Sequence, residues 1–379
     1  MTRKILITGG SGFIGSALAL AAEQRGHTVT VLDNFSPQIH GEDRNTSPLY
    51  QRIADRFEIV NADVRDRDAL SNALATVDTV VHLAAETGTG QSMYDIANYV
   101  SVNIDATGAL LDLVANDPAI QISKLVVASS RAVYGEGKYE CADHGVVYPT
   151  ARNEADMSEG RFEPTCTECS RTVTVLPTDE SSVKHPTSLY GITKATQEDL
   201  FLNIGGALGI STTAFRYQNV YGPGQSLTNP YTGILSIFST RIRNGNPIDV
   251  YEDGLESRDF VYIDDVVNAT LLGIESEEIA PQVYNVGSGV PSTVLDVVAA
   301  LSNGLGLDFE SKTTGAFRIG DIRHNFAGLE KISGELGFKP ATAFQEGVNE
   351  FCKWVLSTEA PEDNYARSIA ELSEKGILK

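Results

Sequence analysis

Short apolar runs, each bounded by glycine, proline or polar residues, alternate with longer stretches of helical period along the first two-thirds of the chain. The runs are residues 4–7, 29–33, 57–60, 79–85, 124–130 and 212–217, each the length of a strand. Between them, 16–22, 66–75, 94–116 and 187–208 read as helices, and Pro118 stops the third. Strands apolar on both faces, alternating with helices, predict an α/β fold: a doubly wound, Rossmann-type parallel sheet with right-handed crossovers. In such a sheet ligands bind beyond the carboxyl ends of the strands. The polar, glycine-spaced loop 86–93 lies at one of those ends.

The pattern breaks twice. Residues 138 to about 180 are polar, without clear period, and hold three of the four cysteines. Beyond Pro230 the regularity weakens to a helix near 234–243, a strand at 248–251, an amphipathic helix near 344–356 and a charged tail. The predicted organisation is a dinucleotide-type domain of 1–219 and 259–285, carrying 138–180 as an insertion. A smaller α/β substrate lobe of 220–258 and 286–379 caps the sheet.

Composition narrows the class. The hydrophobic share of 42% with 21% charged residues is ordinary for a soluble globular chain. No run approaches the roughly 18 apolar residues of a membrane span. The chain enters its first strand directly, so a cytoplasmic protein is expected. The formal charge of −21 is spread along the chain and argues against nucleic acid or an anionic membrane as partner. An anionic ligand would then need a locally basic site, which makes individual arginines informative.

The first turn carries the clearest chemistry. Thr8-Gly9-Gly10-Ser11-Gly12-Phe13-Ile14-Gly15 joins the first strand to the first helix. Gly9, Gly12 and Gly15 suit a tight turn, close approach of backbone to a pyrophosphate, and close helix–strand packing. The helix N-terminus presents free N–H groups to that anion. Asp33 ends the second strand, where a carboxylate accepts from both ribose hydroxyls and repels a 2′-phosphate, favouring NAD over NADP. Phe13, Ile14, Asn34, Val64, Leu83, Ala84 and Ala85 flank the same strand ends as candidate cofactor contacts. Asp63 either faces an adenine or caps the helix 66–75. His82 reads as a packed, satisfied histidine. Thr87 and Ser92, in loop 86–93, are candidate sugar contacts.

Tyr190 and Lys194 stand at i and i+4 on one predicted helix face. A nearby ammonium lowers a phenol's pKa and brings it within reach of general-base work. Ser130, ending the fifth strand, can share the proton. A second Tyr-x3-Lys pair, Tyr134 and Lys138, lies in a glycine-rich turn that separates its members. Cys141 with His144, and Cys166 with Cys169, have the pair spacing of a closed tetrahedral zinc site. Structural zinc, buried free thiols and a redox pair are the readings open to them.

The segments TGGSGFIG, HLAA, SSRAVYG, YGITK, FRYQNVYGPGQ and RDFVYIDD occur in the order seen in extended short-chain dehydrogenases acting on nucleotide sugars, the NAD-dependent epimerase/dehydratase family. The resemblance covers most of the chain outside 138–180. It implies Tyr190 as base, Lys194 as its partner and nicotinamide-ribose ligand, and Ser130 as second hydroxyl. It further implies Asn103 and Tyr217 in the cofactor pocket, and Asn219, Arg258 and Arg323 on a nucleotide diphosphate. The family's 4,6-dehydratases carry an acidic pair after the hydroxyl residue; here Arg131 and Ala132 stand there. Arginine has no proton to deliver, which leaves epimerisation at C4 through a transient 4-keto sugar, with Arg131 a candidate substrate contact. AETGTGQSMY, SSRAVYGEGKYEC and CTEC are similar to dTDP-L-rhamnose 4-epimerases, which implies dTDP-L-rhamnose and dTDP-6-deoxy-L-talose as substrates and a homodimer through helices 94–116 and 187–208. The alternatives are a UDP-hexose 4-epimerase and an NAD-binding regulatory protein without catalysis. Ser170 stands where glycine commonly follows a Cys-x2-Cys knuckle.

Overall fold

The computed structural model describes residues 2–231 and 233–379. Its large layer is a seven-stranded, wholly parallel sheet. The first five strands are β1 (Lys4–Thr8), β2 (Thr28–Asp33), β3 (Glu58–Asn61), β4 (Thr79–His82) and β5 (Lys124–Ser130). Strands Ser211–Tyr217 and Gln282–Val286 extend it beyond β5, in the order β3-β2-β1-β4-β5 followed by these two. The order reverses between β1 and β4, which opens a crevice at their carboxyl ends. Ile5, Leu6, Ile7, Val80, Val81, Val126 and Val127 are fully buried, as strands covered on both faces require.

The third predicted helix is not a single regular one. Ile96–Val100 and Ala106–Asn116 are α-helical, and the five residues Ser101–Asp105 between them form a π-turn. One extra residue per turn there changes which side chains face the neighbouring helix, a feature common at functional sites.

The insertion builds a small sheet of its own. Tyr139–Cys141 pairs antiparallel with Gly145–Val147 and with Thr174–Val175. Its core is small: Tyr139, Cys141, Val147, Cys166 and Val173.

A second sheet joins Asn219–Tyr221, Ser257–Tyr262, Pro291–Thr293 and His324–Asn325. The expected return to the large layer at 259 therefore falls inside a strand of the smaller sheet. The chain rejoins the large layer with helix Ile263–Glu275, which packs on the first helix, Phe13–Gln24. Helix Phe344–Ser357 buries Val348, Phe351, Cys352 and Val355 against helix Val294–Leu305. The charged tail is a helix as well, Tyr365–Glu374. Among the described residues, no helix is long and apolar enough to cross a membrane.

Candidate functional site

The crevice holds a cavity of about 390 Å³ beside the glycine loop. Gly9 has φ +66°, and a Cβ on it would meet the Ala84 nitrogen at 2.8 Å. A Cβ on Gly15 would lie 2.4 Å from the Gly9 carbonyl oxygen. Both positions therefore require glycine, one for the turn and one for packing of the helix on the loop. Gly12 starts helix Phe13–Gln24 without a side-chain cap, leaving N–H groups for a ligand. Asp33 lines the cavity, its two oxygens accepting from the Ser11 and Phe35 backbone N–H groups at 2.9 Å each. Burial raises its pKa; the Phe35 N–H, His40 at 3.8 Å and the Ser11 N–H oppose that rise.

Phe13, Ile14, Asn34, Val64, Leu83, Ala84, Ala85 and Tyr217 also line this cavity. Asp63 and Asn103 do not. Asp63 is taken by Arg65 and by Asn34 Nδ2, with Arg65 the main cause of a pKa of about 2. It is not a helix cap either: Asp66 caps helix Arg67–Leu74 through the Ala69 N–H. Asn103 is wholly buried in the π-turn, accepting from Glu86 N–H at 2.8 Å and donating to Glu86 O and Thr193 Oγ1 at 3.0 Å each. It holds the loop after β4 rather than facing the cavity.

Helix Leu189–Ala207 carries Tyr190 and Lys194. Ser188 caps it through the Gly191 N–H at 3.2 Å. A Cβ on Gly191 would meet the Ala132 carbonyl oxygen at 2.6 Å, so the helix start lies directly on the segment after Ser130. The Tyr190 backbone N–H donates to Ser92 Oγ at 3.1 Å, and Ser92 is fully buried. Ser92 therefore positions the Tyr190 turn and does not face a sugar, a correction to its expected role. Ser130, Tyr190 and Lys194 all line the cavity beside the glycine loop. Burial raises the Tyr190 pKa, opposed by the Ser130 hydroxyl and then by Arg131. Lys194 Nζ instead donates to Gln197 Oε1 at 2.7 Å, and burial lowers its pKa to about 7. Arg131, on the neighbouring segment, is the cation that opposes the burial of Tyr190, and Lys194 lines the same cavity as Tyr190.

The second Tyr-x3-Lys pair does diverge. Tyr134 donates to Asn285 in the core, and Lys138 pairs with Asp179. His82 is buried and satisfied, with Nδ1 2.8 Å from Thr8 Oγ1; burial lowers its pKa to about 3.

A second cavity, of about 440 Å³, shares Thr87, Ser130, Tyr190 and Gln218 with the first, so the two form one cleft with Tyr190 at the junction. Arg131, Asn219 and Arg258 line it. Arg131 Nε donates to Asn219 Oδ1 at 3.4 Å, and burial lowers its pKa to about 10. Arg258 pairs with Asp321 at 2.8 Å. Burial raises Asp321, but Arg258, Arg318 and Arg131 outweigh it and hold the carboxyl near about 2.

Arg323 is not in this cavity. Its guanidinium is fully buried against Glu163, Glu252 and Asp253 at 2.7–2.8 Å. These carboxylates consume its donors, so it cannot hold a diphosphate. The cationic residue missed from sequence is Arg318, which lines the cavity, lies 5.0 Å from the Tyr251 ring centroid, and keeps a buried Nε without a partner among the described residues. The only sequence hint was its place five residues before Arg323, on the same loop.

In the insertion, one donor atom from each of Cys141, His144, Cys166 and Cys169 lies within 4.8 Å of the others. The Cys141–Cys169 sulfurs are 3.7 Å apart, and His144 Nδ1 is 3.5 Å from both Cys141 and Cys166 sulfurs. A tetrahedron with Zn–S about 2.3 Å and Zn–N about 2.0 Å has S–S edges of about 3.8 Å and S–N edges of about 3.5 Å. The donor set fits. Ser170 takes φ +59°, the left-handed conformation that glycine commonly supplies after such a knuckle.

The NAD dependent epimerase/dehydratase family model matches residues 5–155 and 165–287. The dTDP-L-rhamnose 4-epimerase of Burkholderia thailandensis is 37% identical, over 93% of this chain and 95% of its own. A probable UDP-glucuronate 4-epimerase of Rhizobium meliloti is 28% identical, over 96% and 98%. Among solved structures, UDP-glucose 4-epimerase of Thermotoga maritima with UDP-glucose aligns with TM-score 0.73 at 26% identity, covering 97% of this chain and 99% of that one. UDP-glucuronic acid 4-epimerase of Bacillus cereus with UDP-glucuronic acid and NAD aligns with TM-score 0.72 at 26% identity, covering 93% and 99%.

Proposed function

The chain belongs to the NAD dependent epimerase/dehydratase family and is an NAD-dependent nucleotide-sugar epimerase, and from that premise we propose that it interconverts dTDP-L-rhamnose and dTDP-6-deoxy-L-talose by inverting C4. The observation that carries this reading is the cleft junction: Tyr190 and Ser130 face both cavities, while Arg131 and Ala132 hold the positions where a dehydratase has its acids. The 37% identity to a dTDP-L-rhamnose 4-epimerase, against 28% to the UDP-glucuronate enzyme, supports the sugar and the nucleotide.

NAD in the glycine-loop cavity, held by the helix N-terminus, Asp33 and Lys194, would supply the acceptor and return donor for the C4 hydrogen, with a 4-keto sugar in between. Tyr190 takes the C4 hydroxyl proton and gives it back, and Ser130 shares that proton. The Ser130 hydroxyl and then Arg131 work against the burial that raises the Tyr190 pKa. Arg318, with Asn219, holds the diphosphate, while Arg258, whose Nη1 and Nη2 groups donate to Ser257 O, Arg323 O, Asp321 and Ile322 O, braces the loop that carries Arg318; Thr87 borders the sugar. Cys141, His144, Cys166 and Cys169 hold a structural zinc; all four positions are filled, so it has no role in the chemistry. The exposed Ile96 and Ile192, on the helices that start at 96 and 189, support burial against a second copy of the chain.

The test is to incubate the purified protein, without added NAD, with dTDP-, UDP- and GDP-sugars and follow C4 by NMR. Axial–equatorial interconversion of dTDP-L-rhamnose is expected. Turnover of a UDP-hexose alone would move the assignment to that substrate. Tight NAD with no turnover of any sugar would favour the regulatory reading.

A further inference from the structure

The outer wall of the substrate cavity comes from the charged tail. Helix Tyr365–Glu374, about 15 Å long at 1.5 Å per residue, runs along the cavity and contributes Tyr365, Ser368 and Leu372 to its lining. It is anchored at both ends. At one, Tyr365 meets Tyr251 OH at 2.8 Å and the Arg241 guanidinium over its ring at 4.1 Å. At the other, the Glu371 carboxylate accepts from Tyr94 OH at 3.3 Å and from Tyr231 OH. Residues 377–379 then pair with the segment carrying Arg318: Ile319 N–H donates to Ile377 O at 2.9 Å, and Phe317 and Lys379 exchange backbone bonds at 3.0–3.1 Å.

The polarity of this wall is uneven. The Tyr365 end lies beside Tyr251, Arg318 and Asp249. At the Leu372 end, a Cβ on Gly90 would be 3.3 Å from Leu372 Cδ2, so the tail rests directly on the loop after β4. Met93, Ile319 and Ile377 line the cavity with Leu372. The next residue after Ile319, Gly320, accepts from Thr187 Oγ1 at 3.0 Å, three residues before Tyr190. The apolar patch therefore spans from loop 86–93 to the start of the catalytic helix, where the reacting sugar must lie.

We propose that the tail helix roofs the substrate cavity and that Leu372 is a specificity-determining residue, selecting a sugar whose C6 is a methyl over one whose C6 carries a hydroxyl. This rests on the reading of the cavity as a nucleotide-sugar site and adds the residue that discriminates within that class. A hydroxymethyl against Leu372, Met93 and Ile377 loses water and finds no partner in them, and the Tyr231 phenol at the same end already donates to Glu371. An apolar pocket rejects an added hydroxyl by up to about 10².

The test uses the NAD-loaded protein and two probes differing only at C6, dTDP-L-rhamnose and dTDP-L-mannose. Affinities are measured by calorimetry and turnover by NMR, for the wild type, Leu372→Gln and Leu372→Ala. The wild type is expected to bind the 6-deoxy sugar about 10- to 100-fold tighter. Leu372→Gln should cut that ratio about ten-fold while NAD content stays unchanged; Leu372→Ala should weaken both probes and narrow the ratio less. Tyr231→Phe, which removes one of the two phenol donors to Glu371, should raise KM for both probes alike and leave the ratio in place. Discrimination in binding without turnover would count against the epimerase assignment and leave the roof standing. An unchanged ratio in both Leu372 variants, or no binding of either probe to the wild type, overturns the inference.

Discussion

Arg323→Gln separates two roles for a buried guanidinium. If Arg323 serves the diphosphate, its loss raises KM and leaves the fold alone. The observed contacts demand the reverse. The side chain is fully buried, Glu252 beside it is only 5% exposed, and Glu163 and Asp253 are each more than 40% exposed. The exposed pairs are solvent-screened and contribute at most about 1 kcal/mol each. The buried pair dominates, and removing one member of such a pair costs about 3–5 kcal/mol. Glu252 keeps Arg152 as a second partner at 2.7 Å, which places the loss near the lower limit, about 3 kcal/mol. With an unfolding entropy of about 2.1 cal/mol/K per residue, a chain this long loses about 0.8 kcal/mol per degree, so Tm should fall by about 4 °C. Differential scanning calorimetry and steady-state kinetics on Arg323→Gln and Arg318→Gln provide the assay. Arg318→Gln should hold its Tm and raise KM about 10- to 100-fold, as expected when a charged partner is removed from a bound phosphate. An Arg323→Gln protein with unchanged Tm and a raised KM would refute the reasoning.

Tyr190→Phe should lower kcat by about 10²–10⁴ with NAD content unchanged; full activity would sink the proposed base. Ser92→Ala leaves the Tyr190 N–H without its acceptor, at a cost of about 1–3 kcal/mol. It should lower Tm and kcat without moving the sugar KM, whereas a KM effect alone would restore Ser92 as a sugar contact. Lys194 ties stability to pH in protein stripped of NAD. Its folded pKa of about 7 lies below the ordinary 10.5, so the ammonium's burial penalty is full below about pH 7 and is relieved as pH rises toward 10.5. The stability gained by Lys194→Met should therefore shrink between pH 6.5 and 9.5 in denaturant titrations; a constant difference would contradict the pKa. Elemental analysis should find about one zinc per chain, absent from Cys166→Ser; folded wild-type protein without zinc would remove the staple.

The parts legible in sequence are those whose geometry is local. The glycine turn, Asp33 at a strand end and the Tyr190–Lys194 helix are set by spacings of a few residues and by apolar runs that can only be buried strands. The two cysteine/histidine pairs were readable singly for the same reason, and the small sheet brings them together. Arg323 and Ser92 were misread because their partners lie far along the chain: Asp253 is 70 residues from Arg323 and Tyr190 is 98 from Ser92. A charge or hydroxyl near a motif looks like a ligand group until those partners are known. The tail helix was read as charged because its buried face has only Tyr365, Ser368 and Leu372. That face gains meaning only once the cavity beneath it exists.

The π-turn at Ser101–Asp105 has a consequence for Tyr190 and Lys194. Lys194 donates to Gln197, Gln197 Nε2 to Thr107 Oγ1 at 2.9 Å, and Thr107 to the Asn103 carbonyl at 2.7 Å. Asn103 donates in turn to Thr193, whose hydroxyl donates to Tyr190 O at 2.9 Å. The circuit leaves the Lys194 ammonium and ends on the Tyr190 backbone carbonyl, passing through the turn where the helix carries a surplus residue. Each helical residue advances about 100° around the axis. Deleting Ser101, Val102, Ile104 or Asp105 would restore ordinary winding and rotate the segment before the turn by about 100° relative to the helix after it. The arrangement therefore tolerates exchange of side chains better than a change in residue count, and a single-codon deletion there would disarm the enzyme without touching a residue that meets the substrate.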